Sequence, residues 1–175
     1  MGTETAVALP CRRRGMMSSL EFQRSLPGKR MGAGLLVRDG SGRVLLVEPT
    51  YKPNWEIPGG AVDEGESPRE CVVREVREEL GLEVTPGRLL VLDYQHPEPD
   101  RTESMMFVFD GGVVDQAWAD RIRVPPEELR GWRFVPPAEM GELASPRLCC
   151  RLDHALAAAT SAGTTLYLEN GRPQH

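Results

Sequence analysis

Residues 60–82 read GAVDEGESPRECVVREVREELGL, and the second half of this stretch carries helix signals at both ends. Ser67 stands where an N-cap is wanted, Pro68 suits the first helical position, and Glu70 completes a capping box. Gly81 follows the last apolar residue as a C-terminal stop. The spacing predicts a helix over 67–80. On a wheel of about 100° per residue, Val72, Val73, Val76 and Leu80 share one arc, so this helix packs against a core.

Glu75, Glu78 and Glu79 fall on a second arc beside the apolar one, spaced i, i+3, i+4. Each like-charge pair costs an exposed helix roughly 0.2–0.5 kcal/mol, and more at the edge of a core. A cation reverses that sign. Oxygen-only ligands without Cys or His suit a hard ion such as Mg2+ or Mn2+ rather than zinc. The bland alternative is a solvated charged face with Arg74 and Arg77 as counter-ions. The surroundings argue against it. Gly59 and Gly60 let backbone approach a ligand closely, and Glu66 sits at the loop-to-helix junction. Arg74 lies one turn before Glu78, where its rigid fork can hold carboxylates in register. These residues make a platform for holding metal ions against a polyphosphate.

Outward from the helix, 32–38 and 43–48 are apolar-rich runs separated by Asp39-Gly40-Ser41-Gly42, a hairpin signal. Residues 83–94 and 104–114 read as strands, 118–130 as a loop with one helical turn, and 132–135 as a short strand. Ser145-Pro146 opens a second helix with Leu148, Leu152 and Leu156 on one stripe, stopped at Gly163. Strands before, between and after helices without regular alternation favour a mixed α/β sandwich over a doubly wound parallel sheet. The expected organisation is a flexible N-terminal tail over 1–28, a domain over 29–163 and a C-terminal tail over 164–175.

Composition narrows the function. The chain has 175 residues, 40% hydrophobic and 27% charged, in keeping with one globular domain. A net charge of −5 leaves no basic footprint for nucleic acid. No apolar run approaches the ~20 residues that a bilayer demands, so no membrane partner is expected. Cys11, Cys71, Cys149 and Cys150 lack metal-site spacing and read as free thiols of a reducing cytoplasm. The first residues lack the order of a signal peptide, with Arg12–Arg14 after the short apolar stretch.

The pattern Gly60-x5-Glu66-x7-Arg74-Glu75-Val76-x-Glu78-Glu79-x-Gly81-Leu82 resembles the signature of the Nudix hydrolases at all nine defined positions. At ordinary residue usage, a chance match in this chain is on the order of one in millions. The preceding hairpin, the approach from Trp55 to Pro58, and the segment from Glu127-Glu128 to Trp132 also look like the family, so the resemblance covers about 32–156. It implies a Nudix-type α/β/α sandwich around a mixed β-sheet, and metal-dependent hydrolysis of a phosphoanhydride in a nucleoside diphosphate linked to another group. It further implies Glu75, Glu78 and Glu79 as ligands of Mg2+, for which Mn2+ can substitute, with the Gly60 carbonyl as a further ligand and Glu66 and Arg74 in support. The general base is left open between Glu79 and an acid of the later loop, Glu128 before Glu127. The substrate is a small-molecule nucleotide, and the protein a monomer or homodimer.

The box does not choose the substrate. Pro97 stands fifteen residues beyond Leu82, as in relatives that cleave ADP-ribose, although Glu98 replaces the glycine usual after it. ADP-ribose or an ADP-sugar is one expectation. Pyrophosphohydrolysis of nucleoside triphosphates, oxidised ones included, is the alternative. A non-catalytic nucleotide-binding module ranks third, because every acid of the box is present. Trp55 and Trp118 lie in loop regions and are the candidates for stacking a base.

Overall fold

The computed structural model describes residues 18–161 and 163–174. Ten of these form the central strand β1 (Arg30–Asp39), which runs parallel to β5 (Ser104–Val114) along one edge. Its other edge is shared by β2 (Val44–Pro49) and the short β3 (Gly59–Ala61), both antiparallel to it. With β4 (Leu89–Gln95), β6 (Leu129–Val135), β7 (Leu166–Glu169) and β8 (Arg172–Pro173), the mixed sheet takes the order β6-β2-β1-β5-β4-β7-β8, with β3 set against β1. The hairpin between β1 and β2 is held by the Asp39 carboxylate, whose Oδ1 accepts from the backbone N–H groups of Ser41 and Arg43 at 2.9 Å each. Gly42 supplies the left-handed residue that the turn needs, at φ +79°.

Side chains alternate across the sheet, and each face is covered by one helix. Leu35, Val37, Leu45 and Val47 point to α2 (Pro68–Leu80), meeting Val72, Val76 and Leu80. Leu36, Leu46, Leu90 and Val108 point to α4 (Pro146–Thr160), meeting Leu148, Leu152 and Ala155. The expected α/β/α sandwich is therefore the fold. The helix ends also follow their sequence signals. Ser67 caps α2 with the reciprocal Glu70 bonds, and Gly81 closes it in the left-handed conformation at φ +68°. Ser145 caps α4, which ends at Thr160, before Gly163.

Four details depart from the sequence reading. The buried arc of α2 includes Cys71, whose thiol donates to the Ala61 carbonyl at 3.3 Å, whereas Val73 is only half-buried. The strand expected from Glu83 begins at Leu89, because Pro86 cannot donate to a ladder and Arg69 gathers the carbonyls of Pro86 and Gly87. Residues 164–175, expected as a tail, contribute β7 and β8, with β7 parallel to β4 and Leu168 fully buried. The signal for that hairpin was Asn170-Gly171, both at positive φ, between short strands. Within the expected N-terminal tail, Ser19–Ser25 form a short helix, α1, that buries no residue; residues 1–17, including Cys11, lie outside the described part.

Candidate active site

Antiparallel pairing with β1 carries Gly59 and Gly60 to the side of α2 that bears the acids. Gly59 must be glycine, and Gly60 leaves room for a carboxylate of the site. A Cβ on Gly59 would lie 2.2 Å from the Ala33 carbonyl oxygen, and its φ is +145°; a Cβ on Gly60 would lie 2.2 Å from Oε1 of Glu75. The close approach lets the Gly59 N–H donate to Oε2 of Glu79 at 2.9 Å.

Glu79 is buried in the middle of the apolar arc of α2, about 20° from Val72 on the wheel. Burial pushes its carboxyl up to about 8, the charges of Glu75 and Glu128 push the same way, and the Gly59 N–H and Lys52 oppose them. Burial also raises Glu75, against the guanidinium of Arg74 and with the charges of Glu78 and Glu128. Glu128 itself is exposed, on the turn before β6, where its carbonyl accepts from Thr50 N–H at 2.9 Å. Its charge adds to the upward push on Glu75 and Glu79.

Arg74 organises the acids. Its Nε and Nη2 form a fork on Glu66 at 2.9 Å each, Nη1 reaches Glu75 at 2.8 Å and Glu78 at 3.1 Å, and Nη2 also donates to the Ala61 carbonyl at 3.0 Å. This contact pulls the Glu66 carboxyl down to about 2 and holds Arg74 protonated. Glu66 Oε2 also accepts from the Asp63 N–H at 3.0 Å, which ties the loop to the helix.

By donor chemistry the site fits a hard divalent cation: three carboxylates and the Gly60 carbonyl, with two of the acids raised by burial that no fixed cation fully offsets. In this conformation no three such side chains among the described residues converge on one point, because Arg74 occupies Glu75 and Glu78 while Glu79 turns to Gly59.

A cleft of about 290 Å3 opens beside Glu79, floored by Gly32, Gly34, Gly59 and Gly60 and walled by Met106, Phe107 and Leu148. Lys52 and Arg30 stand at it, Lys52 paired with Glu56 at 3.0 Å, and so does Tyr51, the most exposed of the large hydrophobic side chains among the described residues. The sequence reading missed these three, as isolated residues in unpatterned loops or at a strand end. Neither Trp55 nor Trp118, the candidates for stacking a base, lines this cleft. Trp55 packs on the α4-side core under the guanidinium of Arg133, 5.0 Å from its ring centre, and Trp118 packs on the α2-side core.

Comparison with known proteins agrees with this architecture. The NUDIX domain profile matches residues 28–149. A Bacillus subtilis (strain 168) protein provisionally named 8-oxo-dGTP diphosphatase is 34% identical over 110 residues, covering 62% of this chain and 68% of its own. A second B. subtilis protein, provisionally named ADP-ribose pyrophosphatase, is 44% identical over 59 residues, 33% of this chain and 28% of its own. The crystal structure of a MutT protein from Methanosarcina mazei Go1 superposes with a TM-score of 0.60 at 25% identity, over 77% of this chain and 96% of that one. The chain belongs to the Nudix family. It is a hydrolase of the class that acts on phosphoanhydride bonds, and among its described residues no helix is long and apolar enough to cross a membrane.

Proposed function

We propose that the chain is a Mg2+-dependent pyrophosphohydrolase of a nucleoside diphosphate derivative. The observation that carries this reading is the acid cluster itself: Glu79 buried against the Gly59 N–H, with Glu75 and Glu78 tied to Arg74, at the edge of a cleft that also presents Lys52 and Arg30. Glu75, Glu78 and Glu79, with the Gly60 carbonyl, are the residues that would hold Mg2+, or Mn2+ in its place. A bound ion would supply neutralisation of phosphate charge and would lower the pKa of a water beside it. The protein's part is positioning, since phosphoryl transfer asks chiefly for aligned groups and balanced charge. Arg74 braces Glu75 and Glu78 against Glu66, while Lys52 and Arg30 face the phosphates. Glu79 or Glu128 takes the proton from the attacking water.

Two substrate classes are proposed. ADP-ribose or an ADP-sugar is supported by the 44% identity to the provisionally named ADP-ribose pyrophosphatase. A nucleoside triphosphate, oxidised or not, is supported by the longer match to the provisionally named 8-oxo-dGTP diphosphatase. The small-molecule reading, the cytoplasmic location and a monomeric or homodimeric state belong to the same proposal. The test is chromatographic detection of the nucleoside monophosphate formed with Mg2+ from ADP-ribose, ADP-glucose, dinucleoside polyphosphates, NADH and normal and oxidised dNTPs, beside Glu79→Gln. One substrate cleaved well above the rest, and spared by the variant, supports the reading. A folded protein silent with every substrate and metal overturns it in favour of a binding module.

A further inference from the structure

The cleft beside Glu79 does not end at its own walls. It continues past Arg30, Lys52 and Arg151 into a polar extension of about 450 Å3. There Arg101 and Arg147 join the same three cations, so five basic side chains line the space against two acids, Glu56 and Asp100.

Their partners show how much of that charge is left over. Arg30 spends its donors on Thr102, at 2.8 Å to the hydroxyl and 2.7 Å to the carbonyl, and has no carboxylate within 4 Å among the described residues. Arg101 and Arg147 both reach the carboxylate of Glu98, and Arg101 also lies 3.9 Å from that of Asp100. Nη1 of Arg147 is buried with no hydrogen-bond partner among the described residues. A guanidinium N–H withdrawn from water and left unpaired costs free energy until an acceptor reaches it.

The supporting structure is rigid. Arg151, one turn after Arg147 on α4, is 94% buried and is fixed by Asp93, whose Oδ2 accepts from its Nε at 2.8 Å. Asp93 is wholly buried, and its Oδ1 accepts from the Gly171 N–H at 2.9 Å, so the C-terminal hairpin locks the pair. Ser145, the N-cap of the 15-residue α4, also lines the extension, which puts the positive end of that helix dipole at the same place. Every donor here asks for oxyanion oxygens, and a guanidinium with a spare edge suits a phosphate above all.

We propose that this basic extension is a phosphate subsite, and that the preferred substrate carries a further phosphoryl group beyond the anhydride cleaved beside Glu79. The proposal rests on reading the Glu79 cleft as hydrolytic, but it is tested without turnover. Inorganic tripolyphosphate is titrated calorimetrically into the full chain in EDTA, comparing the parent with Arg147→Gln, Arg101→Gln and, as a basic control remote from the extension, Arg121→Gln. Saturable binding weakened about tenfold in Arg147→Gln and Arg101→Gln but not in Arg121→Gln is the expected result, the scale of a charge-assisted hydrogen bond. Arg101 is exposed, so its variant reports even where Arg147→Gln fails to fold. Equal affinities in all four proteins, or no saturable binding at millimolar tripolyphosphate, overturn the subsite. A protein that binds tripolyphosphate in this pattern yet hydrolyses nothing keeps the subsite and loses the hydrolytic reading.

Discussion

The backbone N–H of Gly59 and Oε2 of Glu79 are 2.9 Å apart, twenty residues separated in sequence and joined across the gap between β3 and α2. This bond gives the buried carboxylate its one fixed donor and ties it to the glycine pair at which Glu75 also lies. Replacing Glu79 by Gln keeps an acceptor for the Gly59 N–H and removes the charge. Turnover is expected to fall at least about a hundredfold, the scale of general-base and charge-stabilising groups. The melting temperature in EDTA should not fall, since burial already keeps this carboxyl largely uncharged at pH 7, as the amide is. Retained turnover would take Glu79 out of the catalytic set.

The two glycines separate backbone from side-chain constraint. Gly59→Ala meets the Ala33 carbonyl oxygen at 2.2 Å from a φ of +145°, and should destabilise the protein by at least about 2 kcal/mol. Gly60→Ala meets first the carboxylate of Glu75. That side chain can move, so the melting temperature should hold while turnover drops about tenfold to a hundredfold from a misplaced ligand. Thermal melts and steady-state kinetics on the two variants distinguish these outcomes.

Glu66 supplies a pH dependence. Its carboxyl is pulled down to about 2, chiefly by Arg74, against an ordinary 4.5. A depressed carboxyl contributes stability above its unfolded value and loses it as the pH falls through the folded one. Glu66→Gln is therefore expected to melt below the parent at pH 7, with the gap narrowing from about pH 4.5 and closing near pH 2. Melting curves across that range check it; a gap independent of pH would mean that shape, not charge, is what Arg74 requires.

Glu128 can be separated from its neighbour. Its charge acts on both Glu75 and Glu79, and it is free of the backbone bond that ties Glu79 to Gly59. Glu128→Gln should lower kcat by about tenfold or more with KM within about twofold, the lower end of general-base effects. Glu127→Gln should change neither. Unchanged kcat in Glu128→Gln would assign proton transfer to Glu79.

The two ends of the chain should behave oppositely. Removing residues 1–28 is expected to leave melting temperature and turnover unchanged, since Ser19–Ser25 bury no residue. Removing residues 164–175 takes away the buried Leu168 and the Gly171 N–H that meets Asp93. The expected cost is about 3 kcal/mol or more, from lost core and an underpaired buried acid. Calorimetry of the two truncations measures both.

How far the residues themselves carried the interpretation depended on the range of the interaction involved. Ser67, Glu70 and Gly81 act on their own helix within four residues, so the bounds of α2 were legible before any fold was known. The hairpin at Asp39–Arg43 was legible for the same reason. The spacing of Glu75, Glu78 and Glu79 marked the acid platform because a helix converts sequence interval directly into angle. Four residues of β7 are too short to show a period, and only pairing with β4 makes them a strand. Trp55 and Trp118 looked available for stacking because aromatic side chains in loops read alike until their neighbours are known.

Sequence alone thus determined the family, the sandwich and the acids of the box, all of which follow from local signals and fixed intervals. Tertiary structure decided which acid is buried, which arginine braces the others, and that Arg30, Lys52, Arg101, Arg147 and Arg151 share one cavity. Those facts depend on bringing together residues about 120 positions apart, as Arg30 and Arg151 are at the cavity they both line, and no local propensity encodes them. Burial, which sets the charge state of Glu79, exists only once the sheet and α2 have closed around it.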